Sequence, residues 1–174
     1  MNKEIDKVHT LVVNNDSNEV ENIKTWLAQD MRVPWSVTHC VKVAEVVSRS
    51  NKADLIILKP EIEGLASPEQ VFKNIEGMAF EIPIIVLTSE GDTPKLSTYV
   101  MEQGAADTII RGQFARLVDA IEFALIRQRI TTQARIASEQ SFSDNHEKNM
   151  TEKERHRQIL RMFSGEYAFD QSNQ

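Results

Sequence analysis

The chain has 174 residues, 41% of them hydrophobic, which suits one domain with an appendage and suffices for a buried core. Its net charge of -6 argues against broad binding to nucleic acid or anionic lipid. A single cysteine, Cys40, excludes an internal disulfide and a cysteine-built zinc site. Residues 1–10 lack the apolar segment of a signal peptide, and no apolar run spans a membrane. We expect a cytoplasmic protein.

Short apolar segments alternate with segments of helical periodicity. Strands are predicted at residues 8–13, 35–40, 54–58, 82–87 and 108–110. Each strand is followed by a predicted helix, and the inward-facing residues of these five helices are Val20, Ile23 and Leu27; Ala44 and Val47; Val71, Phe72 and Ile75; Leu96 and Val100; and Leu117, Ile121 and Leu125. This alternation predicts an α/β fold, a flavodoxin-like doubly wound sheet of five parallel strands in the order 2-1-3-4-5.

Capping residues suggest where several helices begin and end. The first helix follows a turn at residues 14–17 and continues to Asp30, and the second covers residues 43–50. Pro68 begins the third helix and Gly77 ends it. The pair at residues 93–94, Thr-Pro, begins the fourth helix, which ends at Gly104.

The pattern changes after the fifth helix, which begins at Phe114. Residues 127–140 continue this helix, whereas the polar residues 141–149 are predicted to break it. A capping box at residues 151–154 predicts a second helix that ends at residues 164–165, before a polar terminus at residues 171–174. We therefore expect a domain at residues 1–128 and a helical extension at residues 129–174.

Three segments resemble the receiver domain of bacterial response regulators: residues 53–59 (ADLIILK), 83–92 (PIIVLTSEGD) and 104–125 (GAADTIIRGQFARLVDAIEFAL). The resemblance extends over residues 8–129. The third segment is similar to receivers whose final loop reads Lys-Gly, which are often fused to sensor, kinase or cyclic-dinucleotide domains. The resemblance thus implies a signalling module, and allows for the N-terminal part of a larger protein such as a cyclic-dinucleotide regulator.

The resemblance also implies a phosphorylation pocket, and its acidic residues are replaced in this chain. Asn14 and Asn15 stand where the family has two acids that hold Mg²⁺. Lys59, at the carboxyl end of the central strand, stands where the family has its phosphate-accepting Asp. An ammonium group cannot become an acyl phosphate and repels a divalent cation. Asp16 matches a third acidic position, but we interpret it as a helix-capping residue.

Other positions of the pocket are partly retained. Thr88 supplies the hydroxyl that the family has after its fourth strand, and Arg111 keeps the charge of the family's Lys. Thr108 replaces the aromatic residue that changes position in the family. The resemblance therefore implies a degenerate pseudo-receiver that is not phosphorylated by the family's mechanism.

Two interpretations of Lys59 remain open. In the first, the side chain fills the vacated pocket by contacting Asn14, Asn15 or Asp16, with Glu61 and Glu63 nearby. In the second, Lys59, Arg111 and Thr88 form a site for a small anion or nucleotide. We prefer the first, because a lysine with amide partners needs no ligand.

We expect a non-enzymatic module that acts by protein–protein interaction, with no metal or cofactor, no membrane and no nucleic acid. The resemblance implies homodimerisation through the fourth helix, the fifth strand and the last helix, together with the extended C-terminal helix. Charged contacts across the dimer are predicted for Arg116, Asp119, Glu122 and Arg127. The segment after residue 129 is too short for a winged-helix output domain.

Overall fold

Five strands and five helices alternate along the described part of the chain. The computed structural model describes residues 7–29, 34–61, 67–91 and 94–166. The strands are β1 (Val8–Val13), β2 (Trp35–Cys40), β3 (Leu55–Leu58), β4 (Ile84–Thr88) and β5 (Asp107–Ile110). The helices are α1 (Ser17–Gln29), α2 (Val43–Arg49), α3 (Pro68–Lys73), α4 (Pro94–Glu102) and α5 (Phe114–Glu166).

The strands form a parallel sheet in the order β2-β1-β3-β4-β5, which confirms the predicted fold. At its centre Leu11 lies opposite Ile56, and Ile57 lies opposite Ile85. All the carboxyl ends of the strands therefore lie at one edge, where such sheets place their functional residues.

Hydrophobic residues pack against both faces of the sheet. On one face the strands contact α2, α3 and α4, and on the other they contact α1 and α5. Every residue of β3 and β4 is buried. Strands covered on both faces need apolar residues at consecutive positions, which explains the unbroken apolar runs in these two segments.

The inward face of α2 differs from the prediction by one position. Val43 and Val46 are buried, whereas Ala44 is exposed and Val47 is 60% exposed. Both pairs satisfy a spacing of three residues, so periodicity alone could not choose between them. The helix begins at Val43, as predicted, and its packing against the sheet places Val43 and Val46 in the core.

Helix α3 is shorter than predicted. It ends at Lys73, and beyond that residue the N–H of Ile75 donates to the carbonyl of Phe72 at 2.9 Å, an i to i−3 bond that is typical of a tighter turn. Gly77 lies instead in a 3₁₀ turn at Glu76–Met78. Helix α4 ends at Glu102, two residues before the predicted end at Gly104. Gly104 has a φ of 98°, a conformation that favours glycine after a helix.

The last helix is continuous from Phe114–Glu166, so the break predicted at residues 141–149 and the separate second helix are wrong. Those residues are polar but contain neither Gly nor Pro, and polarity alone does not end a helix. Helix α5 ends at Glu166, within two residues of the end predicted at residues 164–165. The chain divides by its contacts into Met1–Arg129 and Ile130–Gln174.

Some predictions lie outside the described residues: the end of α1 at Asp30, the contribution of Glu63, the cap at Thr93 and the terminus at residues 171–174. The side chain of Thr151, in the predicted capping box, is likewise not described. Within the described ranges, no helix is both long enough and apolar enough to cross a membrane.

Candidate functional site

Four of the predicted site residues lie at the carboxyl edge of the sheet. Asn14 follows β1, Lys59 follows β3, Thr88 ends β4 and Arg111 follows β5. Backbone hydrogen bonds extend the sheet past these strand ends. The backbone N–H of Asn14 donates to the carbonyl of Cys40 at 3.0 Å. The backbone N–H of Lys59 donates to the carbonyl of Val13 at 2.9 Å, and the backbone N–H of Arg111 donates to the carbonyl of Thr88 at 2.7 Å. The backbone that carries these side chains is therefore fixed by the sheet itself.

Lys59 is buried at this edge, with only 7% of its surface exposed. Its Nζ donates a hydrogen bond to Oδ1 of Asn15 at 3.0 Å. Of the three partners expected for this lysine, Asn15 is thus the one for which the structure shows a hydrogen bond. An ammonium group removed from water needs such acceptors, because burying it without a partner is costly. The side chain occupies the position that the resemblance assigns to the phosphate acceptor.

Glu19 joins the site from α1, and the sequence interpretation missed it. One carboxylate oxygen accepts a hydrogen bond from Nε of Arg111 at 2.8 Å, and the other accepts from Nδ2 of Asn14 at 2.9 Å. Asn14 is completely buried. A signal was present in the sequence: Glu19 precedes the buried Ile23 by four residues, which places an acid on the apolar face of α1.

The charge of Arg111 is surrounded by acids. Its hydrogen bond to Glu19 raises the pKa of the guanidinium above its ordinary value, and attraction to Glu61 and Asp16 acts in the same direction, against the opposing effect of burial. The side chain of Arg111 remains 32% exposed, whereas that of Glu19 is 9% exposed. Because both Lys59 and Arg111 already have partners, this geometry does not favour the small-anion interpretation.

Asp16 acts at the start of α1. Its Oδ1 accepts from the backbone N–H of Asn18 at 3.0 Å and of Glu19 at 3.3 Å. Its own N–H donates to Oδ1 of Asn14 at 2.8 Å. These are the contacts of a helix N-cap, which satisfies backbone donors that the helix leaves unpaired.

The hydroxyl of Thr88 is buried and donates to the carbonyl of Ile109 at a long 3.5 Å. Thr108, at the position of the family's mobile aromatic, is half-buried on the edge strand β5. His39 joins the edge from the end of β2, where its Nε2 lies 2.7 Å from the carbonyl of Asn14 and donates to it. The histidine is thus a packed structural residue here.

The four predicted interface residues lie along the exposed side of α5, all with exposed side chains. Arg116 forms a two-pronged ion pair with Asp107, at 3.1 and 3.2 Å, and Arg127 donates to the carbonyl of Ala106 at 2.9 Å. Arg116 therefore contacts β5 of its own domain, and Arg127 contacts the residue that precedes β5. In the part of the chain that the structure describes, no three His, Cys, Asp or Glu residues are grouped as a metal site would require.

No protein-family model matches this chain, and no curated protein matches its sequence. Solved structures do match. The signal receiver domain of a Luxo repressor protein from Vibrio parahaemolyticus is 20% identical, with a TM-score of 0.62, over 74% of this chain and 97% of that one. A receiver domain from Clostridium thermocellum is 23% identical, with a TM-score of 0.61, over 71% and 98%.

NtrX from Brucella abortus, solved in complex with ATP, is 16% identical with a TM-score of 0.64. That match covers 75% of this chain but 29% of NtrX, so the likeness concerns one part of a larger protein. Identities this low establish the architecture of the chain. The protein has the fold of a response-regulator receiver domain.

Proposed function

We propose that this protein is a receiver-like signalling module that acts by protein–protein interaction and does not depend on phosphorylation. The observation that carries the proposal is the buried Lys59 at the end of β3, held by Asn15. A lysine cannot accept a phosphoryl group as an acyl phosphate. Its positive charge also disfavours the divalent cation that phosphoryl transfer uses.

Three nearby carboxylates, those of Asp16, Glu19 and Asp54, do not replace the missing acceptor. Asp16 is engaged in capping α1, and both oxygens of Glu19 accept hydrogen bonds from Arg111 and Asn14. Asp54 precedes β3, at the opposite end of the strand, and accepts from the N–H of His9. The pocket is thus filled by contacts within the chain, which hold one arrangement without a ligand.

The proposed partner is a second copy of the chain, bound through α4, β5, α5 and the helical extension. Arg116, Asp119, Glu122 and Arg127 supply exposed charges on this side of α5. We further propose a non-enzymatic, cytoplasmic protein, a degenerate receiver at residues 1–128 with its extension at 129–174. It serves as the N-terminal part of a larger signalling protein, such as a cyclic-dinucleotide regulator. These finer points are supported by the resemblance of the sequence to receiver domains.

The experiment is incubation of the full chain with acetyl phosphate and Mg²⁺, followed by intact-protein mass spectrometry. We expect no gain in mass, while an active receiver domain treated in parallel gains one phosphoryl group. A stoichiometric adduct that maps to a carboxylate, such as that of Asp16 or Glu19, would overturn the proposal.

A further inference from the structure

Strand β2 forms one edge of the sheet, with β1 as its neighbour. At its two ends the backbone of β2 bonds to β1 in the same way. The carbonyl of Pro34 accepts from the N–H of Val8 at 2.9 Å, and the carbonyl of Cys40 accepts from the N–H of Asn14 at 3.0 Å. In a parallel ladder every second residue of a strand bonds to the same neighbour. The even-numbered residues of β2 therefore direct their backbone groups towards β1.

The odd-numbered residues of β2 direct their backbone groups away from the sheet. They are Trp35, Val37 and His39, and each presents one N–H and one C=O to the outside. Among the described residues no strand lies beyond β2. A row of unpaired donors and acceptors along an edge strand is a template for a strand of another chain.

The two edges of the sheet differ in how they are protected. Proteins prevent unwanted pairing at an edge with charged side chains or proline. The edge at β5 follows this rule: Asp107 pairs with Arg116 at 3.1 Å, and Arg127 donates to the carbonyl of Ala106 at 2.9 Å. In contrast, β2 (WSVTHC) contains no Lys, Arg, Asp, Glu or Pro. The edge at β2 is thus the one that suits an additional strand.

The sequence of β2 complements itself around Val37. If two copies of β2 run antiparallel about a two-fold axis at Val37, this residue lies opposite its own copy and Trp35 lies opposite the partner subunit's His39. All the outward N–H and C=O groups then find partners. Ser36 lies opposite Thr38 on the other face of the sheet, a pairing of hydroxyls that stabilises antiparallel strands. An axis moved by one residue sets either Trp35 or His39 opposite a residue outside the strand.

We infer that a second copy of this chain pairs with β2 along this edge, antiparallel and centred on Val37, so that two sheets become one. A second copy is the occupant that the residues favour, since the pairing matches apolar with apolar and hydroxyl with hydroxyl and opposes no like charges. The contact goes beyond the homodimer of the proposed function, which uses the edge at β5. Because the two contacts use different residues, together they join dimers into larger assemblies.

The test is disulfide cross-linking of full-length variants, oxidised with copper phenanthroline and read on a non-reducing gel. Val37→Cys is expected to move most of the chain into a covalent dimer, because hydrogen-bonded antiparallel pairs place their Cα atoms about 5.5 Å apart, within the reach of a disulfide. Ser36→Cys is the matched control. It is also half-buried, but the two copies of residue 36 are diagonal neighbours about 7–8 Å apart, beyond that reach. The wild type gives the background, because its single thiol, Cys40, is buried.

An equimolar mixture of Ser36→Cys with Thr38→Cys tests the register. The mixture is expected to cross-link although neither variant does so alone, because these two positions lie opposite each other when the axis is at Val37. If Ser36→Cys or Thr38→Cys alone cross-links as strongly as Val37→Cys, the register is wrong. If no variant exceeds the wild type, β2 is not an interface between copies. Either result would overturn the inference.

Val37→Pro tests the same contact without an oxidant. Proline removes the outward N–H of residue 37 and leaves the hydrogen bonds to β1 in place. Light scattering at high protein concentration should show assemblies larger than a dimer for the wild type and for the control Val37→Ile, but not for Val37→Pro with native circular dichroism. Larger assemblies that persist in Val37→Pro would contradict the inference. The homodimer of the proposed function does not involve Val37 and should remain in this variant, so the two proposals fail separately.

Discussion

Replacing Glu19 with Gln removes the charge that holds Arg111 at the carboxyl edge. The substitution keeps the shape of the side chain and an amide oxygen that can still accept a hydrogen bond from Asn14. What is lost is the charge-assisted contact with Nε of Arg111, now 2.8 Å long. Hydrogen bonds to charged groups contribute about 1.5–3 kcal/mol, and removing one partner of a fully buried ion pair costs about 3–5 kcal/mol.

The smaller figure applies here, because the side chain of Arg111 is 32% exposed and solvent will screen its unpaired charge. We expect Glu19→Gln to lower the free energy of unfolding by about 2 kcal/mol. Glu19→Ala is expected to cost about 1 kcal/mol more, since Nδ2 of the buried Asn14 then has no acceptor there.

Urea unfolding followed by circular dichroism measures both values. Glu21→Gln is the matched control: it lies two residues further along α1, and its ion pair with Lys24 is exposed. That change is expected to cost less than about 0.5 kcal/mol. A double-mutant cycle of Glu19→Gln with Arg111→Gln isolates the pair. A coupling energy below about 0.5 kcal/mol would show that the contact between Glu19 and Arg111 does not hold the edge together.

Three further predictions concern the core and its edge. Ile57→Ala, in the fully buried β3, should cost about 2–5 kcal/mol in urea unfolding, whereas Val47→Ala on the exposed side of α2 should stay within about 0.5 kcal/mol; equal costs would contradict the burial described. The free energy of unfolding of Lys59→Met should lie within about 1 kcal/mol of the wild-type value, because the lost hydrogen bond to Asn15 is offset by the lower cost of burying an uncharged side chain. A loss above about 3 kcal/mol would be inconsistent with this balance. Burial raises the pKa of the Cys40 thiol, so the folded state holds this proton more tightly than the unfolded chain does. That stabilisation is complete below the unfolded thiol pKa of about 8.5 and is lost as the pH rises above it. The free energy of unfolding should therefore fall less between pH values below and above this pKa in a Cys40→Ala variant than in the wild type.

The sheet could be predicted from the sequence because its signals are local and strong. Because strands and helices alternate along the chain, the apolar runs of β3 and β4 are readily assigned as buried strands of a parallel sheet. The order of the strands then follows from the rules that govern connections between parallel strands. The inward face of α2 could not be predicted, since Val43, Ala44, Val46 and Val47 satisfy two phases equally well. A choice between them depends on tertiary packing.

The site was harder to predict than the sheet. The position of Lys59 at the strand end follows directly from the sequence, but its hydrogen bond to Asn15 depends on side-chain geometry. The contact between Glu19 and Arg111 joins residues 92 positions apart, and no local pattern reports such a pair. The polar composition of residues 141–149 predicts a break in α5, but these residues include neither Gly nor Pro and the helix continues through them.

Light scattering on the full chain tests whether the protein forms a dimer without phosphorylation. The molar mass is measured over a concentration series, with and without acetyl phosphate and Mg²⁺. We expect a dimer whose dissociation curve is the same in both conditions, because the pocket around Lys59 is already filled. A chain that is monomeric alone and dimeric only with acetyl phosphate and Mg²⁺ would contradict it.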